Sequence, residues 1–177
     1  MSLQPIIQLK EGDFHNKDTI LRKKSAAVAE FDSNLRNVVT NLLDTLNHHS
    51  IAVGLSAPQI GVLARVTVIN VKKKENKLPL VLVNPELLKA GTESAIRMEA
   101  CMSLPFFQGE VERSLKVTVG YQELTGAKHQ LHAEGFLARV LLHELDHLDG
   151  ILYVDRMPLG GKLVAAEFFK SDQAAKQ

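Results

Sequence analysis

The chain has 177 residues, 21 Lys plus Arg against 20 Asp plus Glu, a formal net charge of +1, one Cys and no Trp. That length buries about 70% of the extended chain's surface, enough for one good core and rarely two. The near-neutral balance lacks the field of a phosphate-neutralising nucleic-acid binder, lone Cys101 excludes an intramolecular disulfide, and no apolar run reaches the roughly 18 residues of a membrane span. The opening MSLQPIIQLKEGD has neither the basic region nor the apolar stretch of a secretion signal. The expectation is therefore a soluble single domain over residues 1–177 in a reducing cytoplasm.

Residues 1–34 show no sustained period. From Leu35 the apolar positions Leu35, Val38, Val39, Leu42, Leu43 and Leu46 mark one face of a helix running to about His48, with Asp32, Ser33 and Asn34 as its cap signals. His48 and His49 fall in its last turn and read as surface. GLSAPQIG, bracketed by Gly54 and Gly61 and broken by Pro58, predicts a loop. RVTVINV (65–71) predicts a strand, KKKENK (72–77) a solvated hairpin tip, and LPLVLVNP a returning strand ended by Pro85. The segment around Cys101, limited by Pro105, reads as a loop or short edge. SLKVTVGYQ directs Leu115, Val117, Val119 and Tyr121 inward, LTGAK turns, and HQLHAE pairs back. Gly135 opens the strongest helix, FLARVLLHELDHL, closed at Asp149-Gly150. From about Gly160 the tail is polar and weakly helical. This order predicts an α+β domain, antiparallel sheets packed around the last helix.

That helix carries His143-Glu144-Leu145-Asp146-His147, an H-E-x-x-H motif. Residues four apart share a helix face, so both imidazoles can reach one metal ion while Glu144 stays off it as a base for an attacking water. Asp146 points off the ligand face, where it accepts hydrogen bonds from neighbouring structure. Arg139, one turn before His143, is expected to pair with a carboxylate. Two histidines leave the site a ligand short. A third His ten positions after His143 is absent, because position 153 is Tyr. Glu167 on the tail and Cys101 are the alternatives, the thiolate being a soft ligand for iron or zinc.

Three segments together resemble the peptide deformylases. Ala52-Val53-Gly54-Leu55-Ser56-Ala57-Pro58-Gln59-Ile60-Gly61 is similar to the family's G-x-G-L-A-A-P-Q-I-G. Glu99-Ala100-Cys101-Met102-Ser103 is similar to E-G-C-L-S, and residues 142–150 to Q-H-E-x-D-H-L-x-G. GEVER (109–113) and HAEGFLAR (132–139) extend the likeness, which runs from the mid-twenties to about residue 157. The resemblance implies a deformylase-like α+β fold. It also implies one divalent ion on Cys101, His143 and His147, Fe(II) in many members and Zn, Ni or Co in others. Glu144 would be the general base, and Gln59 with the backbone N–H of Met102 would donate to the formyl oxygen. The implied reaction removes formate from N-formyl-methionine of nascent peptides, with ribosome contact as a further expectation and no membrane or direct nucleic-acid partner. Backbone at Val53, Gly54 and Ala100 would pair with the substrate, and Phe136 and Val140 would wall its side-chain pocket.

The chain departs from the family pattern. Ala52 and Ala100 replace glycines, Ser56 an alanine, Met102 a leucine and Leu142 a glutamine, while Gln108 stands where many members carry Arg. An alanine at a glycine position matters where φ is positive or a ligand approaches closely. Leu142 removes an amide beside His143 that could orient it. Two rival readings stay open: a small H-E-x-x-H peptidase using Glu167, and a non-catalytic binder of peptide N-termini.

Overall fold

Helix α1 (Ser33–His48) begins at its cap: Asp32 accepts the Leu35 amide at 3.0 Å, satisfying one of the first-turn N–H groups that lack an intrahelical partner. Its stripe buries Leu35, Val39, Leu42 and Leu46 against Leu55, Val66 and Val68. In this computed structural model, which describes residues 3–10, 12–71 and 78–166, the chain forms two helices and two antiparallel sheets. The strands are β1 (Gly54–Ser56), β2 (Val66–Ile69), β3 (Leu80–Ala90), β4 (Ser94–Cys101), β5 (Leu104–Ser114), β6 (Lys116–Gln122), β7 (Lys128–Glu134) and β8 (Leu163–Ala165). One sheet has the order β1-β2-β3-β6-β7, the other β4-β5-β8. Helix α2 (Gly135–Leu148) presses Ala138, Leu141 and Leu145 onto Ile69, Leu82, Val117, Val119 and Ala133 of the larger sheet. It also touches β5 of the smaller one, so it lies between the two. No helix among the described residues is long and apolar enough to cross a membrane.

The end of α2 fixes the segment that crosses it. Gly150 has φ +73°, and a Cβ there would lie 2.5 Å from the Arg22 carbonyl oxygen. The crossing is tied down by the Ser25 amide, which donates to Leu148 O at 2.8 Å. Left-handed backbone costs a residue with a Cβ about 1–2 kcal/mol, and here the segment must also move. Gly150→Ala is therefore expected to lower unfolding stability by about 2–3 kcal/mol, measured by urea denaturation. A loss below about 0.5 kcal/mol would show that no close backbone crossing exists.

Four expectations are corrected. The strand predicted to end at Pro85 continues to Ala90, because the proline sits at a register shift between Val83 and Glu86, where the regular pairing is already interrupted. Asn84, at φ 50°, makes the kink and uses its side chain to accept from Val28 N at 2.7 Å and donate to Val28 O at 2.9 Å. GLSAPQIG is not all loop: Gly54–Ser56 pairs with β2, and Ala57–Ile60 is a 3-10 turn. Of the loop or short edge expected around Cys101, the edge is right and the length is not: it is the tip of a long hairpin, with Cys101 the last residue of edge strand β4 and Pro105 just past the irregular pairing at the turn. The tail is not helical where described, since Leu163–Ala165 pairs with Phe107–Gly109 of β5, an edge whose amides would otherwise lack partners. The hairpin tip expected at 72–77 and the chain from 167, Glu167 included, lie outside the described residues.

Candidate active site and metal centre

Both sheets end at the site. β1 is an edge strand of the larger sheet and β4 of the smaller, and residues of both face one cavity of about 260 Å³. Its wall includes Val53, Gly54, Gln59, Ala100, Cys101, Met102, Phe136, Val140, His143 and Glu144, residues spread over more than half the sequence. Ile51, Met98, Glu99 and Arg139 join them without having been anticipated as wall. Phe136, 59% exposed, stands at the rim. His147 lies behind the wall, 1% exposed.

One donor atom from each of Cys101, His143 and His147 lies within 4.8 Å of the other two. Ligands about 2.0–2.3 Å from a tetrahedral ion are roughly 3.5 Å apart, so the cluster has the size of a single-ion site. A thiolate and two imidazoles suit zinc or iron. Cys101 Sγ is 3.1 Å from His147 Nε2 and accepts the Ser103 amide at 3.4 Å. Burial would push this thiol up, but His147 and His143 outweigh it and hold the thiol well below its ordinary range. Tyr153, which occupies the position of the absent third His, is buried and donates its hydroxyl to Phe107 O at 3.0 Å.

The two histidines are held differently. His143 Nδ1 lies 3.0 Å from Glu99 Oε2, an arrangement that fixes the proton on Nδ1 and leaves Nε2 as the lone-pair nitrogen. His147 Nδ1 is buried with no hydrogen-bond partner among the described residues. Glu99 is saturated: it also accepts from Arg113 Nε at 3.0 Å, Arg113 Nη2 at 3.1 Å and Arg139 Nη1 at 2.7 Å. Burial would raise its pKa, yet His143 and Arg113 outweigh that and lower it to about 2. Arg113 continues to Asp146, which accepts from Arg156 Nη2 at 2.8 Å as well. Asp146 thus ties α2 to β5 and takes no part in the donor cluster.

Glu144 is 4% exposed, and burial raises its pKa against the opposing charges of His143 and His147. Gly54 gives it room: a Cβ there would fall 2.4 Å from Glu144 Oε1. Its other oxygen, Oε2, is hydrogen-bonded by the Ser56 hydroxyl. The Gln59 amide is oriented from behind. Its Oε1 accepts the Ser56 amide at 2.8 Å, which turns Nε2 towards Ser103 Oγ at 3.3 Å and Cys101 Sγ at 3.6 Å. The amide nitrogen is thus held beside the Cys101 sulfur, in the wall of the cavity.

Glu99, Arg113 and Ser56 carry no role in the sequence reading. The available signal for Glu99 was its place two residues before Cys101, which in a strand puts both side chains on one face. The departures are also placed. Asn84 alone among the described non-glycine residues has positive φ, so Ala52 and Ala100 sit in backbone that any residue adopts. Leu142 packs against the apolar face of the larger sheet, and the orienting contact to His143 comes from Glu99.

The model of the polypeptide deformylase family matches residues 14–162. A peptide deformylase of Caldicellulosiruptor bescii is 45% identical over 141 residues, 80% of this chain and 81% of that protein. One from Rhizobium meliloti is 37% identical over 156 residues, 88% of this chain and 85% of that one. The crystal structure of peptide deformylase from Thermotoga maritima superposes with a TM-score of 0.79 at 34% identity, covering 89% of this chain and 99% of that one. A Synechococcus elongatus peptide deformylase solved with actinonin gives 0.77 at 33% identity, over 89% and 81%.

Proposed function

The chain belongs to the polypeptide deformylase family, and on that premise we propose that this site hydrolyses the formyl amide of N-formyl-methionyl peptides, releasing formate. The observation that carries the reading is the convergence on one cavity of Cys101, His143, Glu144 and Gln59, from three separate segments. Cys101, His143 and His147 would hold one divalent ion, Fe(II) in our reading with Zn, Ni or Co as substitutes. Bound there, it supplies Lewis acidity that lowers the pKa of water and polarises the formyl carbonyl.

The chain's own residues do the rest. Glu144, kept basic by its raised pKa, takes the proton of the attacking water and later returns it to the departing amine. Gln59 Nε2 and the Met102 N–H donate to the formyl oxygen as it gains charge, each donor being worth roughly 3–4 kcal/mol of barrier. The peptide lies extended between two sheet edges, β1 at Gly54 with Val53 just before it and β4 at Ala100, and its methionine side chain enters between Phe136 and Val140. The Val53 carbonyl already accepts the Asn70 amide at 2.7 Å, which fixes the backbone of this wall against the larger sheet. A reducing cytoplasm suits this site, since oxidation would consume the Cys101 thiolate and Fe(II) alike.

Purified protein loaded with Fe(II) or Ni(II) without oxygen is expected to release formate from formyl-Met-Ala-Ser. Absence of formate from metal-loaded, folded protein would overturn the reading in favour of a binder of peptide N-termini.

A further inference from the structure

Ser56 stands where the family pattern has alanine, and its hydroxyl has three acceptors in reach. It is fully buried. Its Oγ contacts Glu144 Oε2, lies 3.2 Å from Glu144 O and 3.3 Å from Thr67 Oγ1. Thr67 Oγ1 is also near Oε2, at 3.4 Å, but closer to Leu55 O, at 3.0 Å. Each hydroxyl has a single proton to give. The Thr67 proton goes to the nearer carbonyl of Leu55. The Ser56 proton goes to the carboxylate, its closest acceptor and the one that carries charge.

The carboxylate is thereby made asymmetric. Oε2 is anchored to the end of β1, while Oε1 packs over Gly54, two residues earlier on the same strand and part of the cavity wall. A glycine at 54 admits the oxygen and a hydroxyl at 56 holds its twin. Alanine at position 56 would leave Oε2 with the distant Thr67 alone, and the carboxylate free to rotate.

We propose that Ser56 is a positioning residue for the reaction, pinning Glu144 Oε2 so that Oε1 is the oxygen presented to the attacking water. This rests on the reading of Glu144 as general base. Failure of that reading shows separately, as wild-type protein without formate release. The test compares Ser56→Ala with wild type, both metal-loaded. We expect kcat to fall about 10-fold, the low end of what loss of an orienting hydrogen bond costs, with KM for formyl-Met-Ala-Ser and metal content per chain unchanged.

The same substitution in a Glu144→Asp background tells positioning from packing. The shorter carboxylate withdraws from Ser56, so Ser56→Ala should there change residual kcat by less than about twofold. A kcat within twofold of wild type for the single variant would overturn the proposal. So would a matching change in KM, loss of metal, or an equal fall in both backgrounds.

Discussion

Glu144→Ala protein is expected to bind close to one metal ion per chain and to release formate from formyl-Met-Ala-Ser about 10²–10⁴-fold more slowly than wild type, the usual worth of a general acid–base. The first half follows from the geometry. The donor cluster is formed by Cys101, His143 and His147, and Glu144 is directed instead at Ser56 and Gly54. The second follows from what remains once the carboxylate is gone. Among the carboxylates, Glu99 is saturated by two arginines and His143 with a pKa of about 2, and Asp146 is committed to Arg113 and Arg156. Neither can take the proton in its place. Elemental analysis beside a formate assay checks both halves. Loss of the ion together with activity would make Glu144 a ligand.

The second large effect is expected at Glu99. Removing its side chain in Glu99→Ala leaves Arg139 without its carboxylate and Arg113 with Asp146 alone, both guanidiniums remaining in the interior. Breaking a buried pair by taking one partner costs about 3–5 kcal/mol, because the other charge stays buried without compensation. The same change frees His143 Nδ1, and loss of such an orienting partner lowers metal affinity by about 10–100-fold. Glu99→Gln should separate the two effects. Its amide oxygen can still accept from His143 while the neutralising charge is lost, so stability falls but metal affinity stays nearer wild type. Denaturant titrations and competition with a chelator read these independently. Equal metal loss in both variants would assign the effect to charge rather than to orientation.

The Glu99 cluster also explains where the sequence was hard to read. A hairpin is recognised by apolar residues pointing in and polar ones out. In β4 and β5 that pattern is reversed over the part beside the site: Glu99 and Arg113 are buried, whereas Ile96 and Met98 are 48% and 41% exposed. The signal cancels, and the end of an eight-residue strand paired with one of eleven reads as no more than a loop or short edge. Pro85 and Pro105 misled for a related reason. Proline ends a strand only where its missing N–H would break the ladder, and both lie at irregular pairings, which are set by the partner strand. The helices were legible because their signals are local. Asp32 caps α1, Gly150 follows the end of α2, and the intervening apolar period is visible within a few turns.

By itself the sequence determined the antiparallel α+β class, the helix that presents His143, Glu144 and His147 together, and, by resemblance, the family and its reaction. Those depend on spacing along the chain, and a helix converts a spacing of four into a shared face wherever it sits. Only the tertiary structure decided what surrounds that face. It brought Cys101 to His147 from 46 residues away, closed Glu99 over His143 from 44, and set the Ser56 hydroxyl on Glu144 from 88. Such contacts depend on β1 and β4, edge strands of different sheets, meeting residues of α2 at one cavity. No local period encodes that meeting, because it is fixed by how the whole chain buries its apolar surface.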